Sequence, residues 1–115
     1  MNLPPLLRPD WPAPPGVIAG MSSRAGGVSV GPWASLNLGG AVGDDPAAVA
    51  ENRARFTAAL GAQPVWLQQV HGARVVRLRA DAVDSTLPAA DAAWTSDPGV
   101  ACAVLVADCL PVLMA

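Results

Sequence analysis

The chain has no lysine and no tyrosine, and only one phenylalanine and one histidine among its 115 residues. All seven basic residues are arginine, set against nine acidic ones for a net charge of −2. With no basic run, the sequence lacks the electrostatic footprint of a nucleic-acid-binding protein. Charged residues are scarce at 14%, and the apolar share is 52%, which excludes a disordered, solvated chain. No clean hydrophobic run of membrane-spanning length occurs. The best candidate, residues 98–115, carries Asp108 and Pro111, and a mid-bilayer Asp costs about 2.5–3.5 kcal/mol. Nor do the first sixteen residues, with six prolines, follow the order of a secretory signal. The expectation is a cytoplasmic protein without a membrane partner.

Cysteine is also scarce. Cys102 and Cys109 stand seven positions apart in one strand-like segment. Extended, such a segment spans about 23 Å at ~3.3 Å per residue, far beyond the ~4.4–6.8 Å between bridged Cα atoms. Two reduced thiols are expected, as suits the cytoplasm.

What is present divides into a proline-stiffened lead-in, residues 1–16, and a single domain from residue 17 to 115. Val17–Met21 reads as a short strand. Ser22–Asp45 is rich in glycine and turn formers and reads as a long functional loop. A helix is predicted over residues 46–60. Asp44 or Asp45 can cap it, Pro46 suits its first turn, Val49, Phe56 and Leu60 fall at helical spacing, and Gly61 ends it. Val65–Val70 and Arg74–Leu78 flank His71-Gly72-Ala73 in a hairpin-like pattern. Ala80–Leu87 reads as loop and Asp91–Thr95 as a brief strand. A Pro98-Gly99 turn then leads into Val100–Val106, an apolar run expected to be a strand buried on both faces. Pro111–Ala115 begins a further apolar strand without a terminating signal.

Candidate chemistry centres on the one histidine. His71 lies at a turn beside a glycine, and Cys109 follows Asp108 where the preceding strand should end. An imidazole and a thiol supply half of a metal site, or a nucleophile with its base. Asp108 can orient a ligand, act as a base, or only make local turn bonds. By strand parity Cys102 shares a face with Val104 and Val106 and is assigned to the core. Arg24 beside Gly26-Gly27 can bind an anion through its guanidinium and nearby backbone N–H groups, or can be a solvated turn residue. Asn37 can offer a site amide or only brace its own turn. Trp33, Trp66 and Trp94 are assigned to the core.

The segments SSRAGGVSVGPWASLNLGGAVGDDPAAVAENR, WLQQVHG, ADAAWTSDPG and ADCLPVL occur in that order from about Gly20 onward. Together they resemble the bacterial laccase-domain family, also called polyphenol oxidase, purine nucleoside phosphorylase and peptidoglycan editing factor. The resemblance implies an α/β layered sandwich with mixed sheets and flanking helices. It implies a metal site, zinc with copper as the alternative, held by His71 of QVHG, Cys109 of ADCLPVL and a second histidine from a later motif. That motif has no counterpart here, so the chain is expected to be the N-terminal half of such a domain and need not be active alone. Ala41, Trp33 and Val106 stand where many relatives have His, Tyr and Thr.

The implied activity is phosphorolysis of adenosine, inosine or methylthioadenosine, with adenosine deamination, so purine nucleoside and phosphate are the expected partners. In that reading Arg24 and Asn37 bind substrate. Copper-dependent phenol oxidation, hydrolytic editing of peptidoglycan precursors, and an inactive fragment are the alternatives.

Overall fold

A computed structural model describes residues 2–82 and 87–115. The described residues form one α-helix, two 3-10 turns and six short strands: β1 (Leu6–Leu7), β2 (Met21–Ser22), α1 (Pro46–Leu60), β3 (Gln63–Val65), β4 (Val75–Arg77), β5 (Ala92–Trp94) and β6 (Val100–Cys102). They pair into three two-stranded sheets, one antiparallel and two parallel. The class is therefore mixed α/β. The chain divides into two compact units, one of Met1–Gly61 with Val112–Ala115 and one of Ala62–Pro111.

In the first unit, Leu6 and Leu7 of the proline-rich lead-in pair with Ser22 and Met21. The strand expected at Val17–Met21 thus lies later and is shorter. Helix α1 has the predicted bounds for the predicted reasons. The Asp45 carboxylate accepts from the Ala47 N–H at 3.0 Å, and Pro46 fills the first turn. At the other end Gly61 turns left-handed at φ 77°, and its N–H donates to the Thr57 carbonyl at 3.0 Å. The helix buries Val49, Asn52, Phe56 and Leu60. Three are apolar, each worth about 1.5–3 kcal/mol when fully buried.

The fourth is a polar residue with no accessible surface. Asn52 organises the glycine-rich loop. Its Oδ1 accepts from the Val28 N–H at 2.8 Å, while Nδ2 donates to Ser29 Oγ at 2.8 Å and to the Asn37 carbonyl at 2.9 Å. Gly27 lets the strands of this loop close. A Cβ there would meet the Ser35 carbonyl oxygen and come within 2.5 Å of Leu36 Cα and 2.6 Å of Asn52 Oδ1.

In the second unit, β3 pairs in parallel with β6 and β4 with β5. This overturns the hairpin expected around His71. Each β-rich run finds a partner later in the chain, and the Val70, His71 and Gly72 N–H groups between them are all taken by the Asp91 carboxylate. Strand β6 is also shorter than the run expected over Val100–Val106. It pairs on one edge and none of its residues is buried. Cys102 is consequently exposed and is not a core residue. Trp94, also assigned to the core, is half exposed, and the Arg77 guanidinium lies over its ring at 5.0 Å. The expected loop at residues 80–87 opens with a 3-10 turn over Ala80–Ala82. Its residues 83–86 lie outside those described.

Candidate functional site

His71 sits in a bend with φ 57°, the left-handed region that non-glycine residues seldom enter. Asp91 Oδ1 accepts from the Val70 N–H at 3.0 Å and the His71 N–H at 2.9 Å, and Oδ2 accepts from the Gly72 N–H at 2.7 Å. Three successive amides converge on one carboxylate, and His71 is exposed. Asp91 is itself anchored. It directly precedes β5, its N–H donates to the Arg74 carbonyl at 3.3 Å, and neighbouring Ala90 is fully buried. The Gly72 N–H bond leads in holding the Asp91 carboxyl below the usual carboxylate range, and the His71 and Val70 N–H groups and the imidazole charge add to it.

Cys109 is exposed in a bend at residues 107–109 of the same unit. A bond from Gln69 Nε2 to the Leu105 carbonyl at 3.0 Å ties the segment entering the His71 bend to the run leading to Cys109. The described residues hold no group of three His, Cys, Asp or Glu that could bind a metal ion. One exposed imidazole and one exposed thiol nevertheless have the donor chemistry of a zinc site, as two of the three protein ligands a catalytic site uses. They fit the metal in kind and fall one donor short in number.

Arg24 and Asn37 are brought together. Both line an open cavity of about 390 Å³ in the first unit, with Pro32, Trp33, Ala34, Leu36 and Val42. Arg24 Nε donates to the Ala34 carbonyl at 3.0 Å. The Arg24 carbonyl in turn accepts from the Ser35 and Leu36 N–H groups at 2.9 Å. The anion nest expected beside Arg24 is partly consumed, because the Ala25 and Gly27 N–H groups donate to the Ser23 and Ser35 hydroxyls. Asn37 makes the local turn bonds that were the alternative reading. Its Oδ1 accepts from the Gly39 N–H at 3.0 Å, and Nδ2 donates to Asp44 Oδ2 at 3.1 Å.

Asp44 escaped the sequence reading except as a possible helix cap. It accepts from Ser29 Oγ at 2.5 Å as well as from Asn37, and so joins the cavity wall to the Asn52 cluster. The Ser29 hydroxyl, first, and the Asn37 amide and Asp45 N–H hold its carboxyl below the ordinary 3.8. The folded chain therefore binds this proton less readily than the unfolded chain. The resulting stability is full above the ordinary value and is lost as pH falls through the folded pKa. Thermal melts from about pH 7 down to about pH 2.5 should show Tm dropping below about pH 4, with a shallower drop in Asp44→Asn.

Residues 18–115 match the family described as multi-copper polyphenol oxidoreductase laccase. The chain belongs to that family. Among curated relatives, the laccase-family chain is 54% identical over 107 residues to purine nucleoside phosphorylase PA4543 of Pseudomonas aeruginosa, covering 93% of this chain and 43% of the relative. It is 52% identical over 110 residues to purine nucleoside phosphorylase YfiH of Escherichia coli, covering 94% and 44%. It thus spans less than half the length of these relatives. The crystal structure of Neisseria meningitidis protein NMB0706 superposes with a TM-score of 0.83 at 44% identity, covering 90% of this chain and 42% of that one. YlmD from Geobacillus stearothermophilus gives 0.65 at 35% identity, covering 75% and 36%. Membership of the laccase family points to metal binding, which suits the exposed imidazole and thiol.

Proposed function

We propose that the chain carries two ligands of a zinc site, His71 and Cys109, in a cytoplasmic purine nucleoside phosphorylase that also deaminates adenosine. One observation carries this reading: relatives 52–54% identical across more than nine-tenths of the chain bear the name purine nucleoside phosphorylase. Bound zinc supplies a Lewis acid and lowers the pKa of its water toward about 7. The chain's own residues do the rest of the work assigned to them. The His71 imidazole and the Cys109 thiolate hold the ion, and a third donor comes from outside the described residues. Arg24, whose Nε is engaged by Ala34, offers its terminal nitrogens to phosphate, and Asn37 presents its edge to the same cavity. In phosphorolysis a phosphate oxygen bonds to the sugar's anomeric carbon as the bond to the purine nitrogen breaks, and the base leaves with a proton. In deamination water adds at the purine carbon and ammonia leaves. No helix among the described residues is long and apolar enough to cross a membrane.

The family description favours one second reading, a copper-dependent phenol oxidase. Copper oxidation chemistry draws on several imidazoles, whereas this chain has one histidine. The test is to incubate zinc-loaded protein of the relatives' full length with adenosine and phosphate. Adenine, ribose 1-phosphate and inosine are the expected products. Their absence, with phenol oxidation that depends on added copper, would establish the second reading instead.

A further inference from the structure

We propose that Asp91 is a positioning residue for the His71 imidazole, pre-shaping the bend so that the ring is presented to a metal before any metal arrives. This rests on the reading of His71 as a ligand. The geometry is specific. One carboxylate gathers three consecutive N–H groups, those of Val70, His71 and Gly72, at 2.7–3.0 Å. Convergence of three amides on one point curls the backbone, and His71 takes φ 57° at its centre. A histidine that pays for a left-handed backbone with no local partner would relax to an extended conformation, swinging its side chain away. Asp91 cannot follow the bend, because Ala90 beside it is fully buried and Ala92 beyond it pairs with Val75. The carboxylate is thus fixed by the sheet, and the bend is fixed by the carboxylate. A carboxylate that only capped a turn would need one or two of these bonds. Here the residue at the centre of the three bonds, and the one with the positive φ, is the chain's one histidine.

Outer-shell groups that orient metal ligands typically change metal affinity by about 10–100-fold. The experiment titrates protein of the relatives' full length with zinc alone, by competition with a chromophoric chelator, for native protein, Asp91→Ala, Asp91→Asn and His71→Ala. Amide exchange at residues 70–72 is followed without metal. Asp91→Ala should lose the protection of those amides and weaken zinc binding by about 10-fold or more. Asp91→Asn retains a carbonyl oxygen for two of the three N–H groups, so it should keep an intermediate affinity. Circular dichroism and exchange in β5 report whether either variant remains folded. If zinc binding requires His71 but is equal in folded Asp91→Ala and native protein, the positioning role falls and the ligand reading stands. If His71→Ala binds zinc as tightly as native protein, the ligand reading falls and takes the positioning role with it.

Discussion

Asn52→Leu should cost a substantial share of the stability of the first unit. The side chain is fully buried, and its three bonds join helix α1 to Val28, Ser29 and Asn37 across the glycine-rich loop. Leucine has similar volume and adds apolar surface, so packing alone predicts little loss. The polar ledger decides the sign. The Val28 N–H and the Asn37 carbonyl, in part-buried bonds, lose their partner; a fully buried group left unsatisfied costs about 1–3 kcal/mol, and water reaching these two recovers some of that. Ser29 Oγ still donates to Asp44 but loses its donor from Asn52. A loss of about 2–4 kcal/mol is expected, against a total of about 5–15 kcal/mol for a domain. Urea denaturation should show the midpoint falling by roughly 2 M, given slopes of about 1–3 kcal/mol per molar. Helical circular dichroism should survive in any folded remainder while exchange at Val28 accelerates. A midpoint unchanged within error would mean that water satisfies these groups.

The helix was legible because its signals are local. Asp45, Pro46 and Gly61 act within one turn of their own positions. Asn52 was invisible for the same reason: a polar residue at position seven of a helix reads as solvent-facing until a distant loop is known to need its amide. The buried stripe runs Val49, Asn52, Phe56, Leu60, and the spacing marks Asn52 as inward-facing once polarity is disregarded. That spacing was the available signal.

The second unit failed differently. Two β-rich runs around a glycine predict a hairpin, since local closure is entropically cheap. The chain instead pairs residues 63–65 with 100–102 and 75–77 with 92–94. Parallel pairing leaves no turn signature in a short window. Asp91, twenty positions from His71, holds the bend between the two runs, and no periodicity connects them. Parity failed for Cys102 because it presumes a continuous strand buried on both faces, whereas β6 ends at Cys102 and none of its residues is buried. That Arg24 and Asn37 share one stretch of the chain was legible, but their hydrogen bonds were not. Arg24 and Asn37 do line one cavity, yet most of Asn37's hydrogen-bonding capacity is spent on Gly39 and Asp44.

His71→Ala and Cys109→Ser should each reduce nucleoside phosphorolysis by about 100-fold or more in zinc-loaded, full-length protein, with Cys102→Ser within about 2-fold of native. The scale follows from the outer shell: if groups that merely orient ligands carry about 10–100-fold, removal of a ligand should reach at least the upper end, or about 2.7 kcal/mol in transition-state stabilisation. Serine preserves the size of cysteine but replaces a thiol that ionises near neutrality under a metal with a hydroxyl that does not, so the donor is lost without a cavity. Exposure of both thiols makes the comparison clean, since neither substitution opens the core. Metal content separates the two chemistries a His–Cys pair permits. If Cys109→Ser loses zinc together with activity, the thiol is a ligand. If it keeps a full complement of zinc and still loses activity, Cys109 acts as a nucleophile with His71 as its base, and the metal reading of this pair is wrong. Equal losses in Cys102→Ser and Cys109→Ser would show that the two thiols work together, which the exposed position of Cys102 at the end of β6 leaves sterically open.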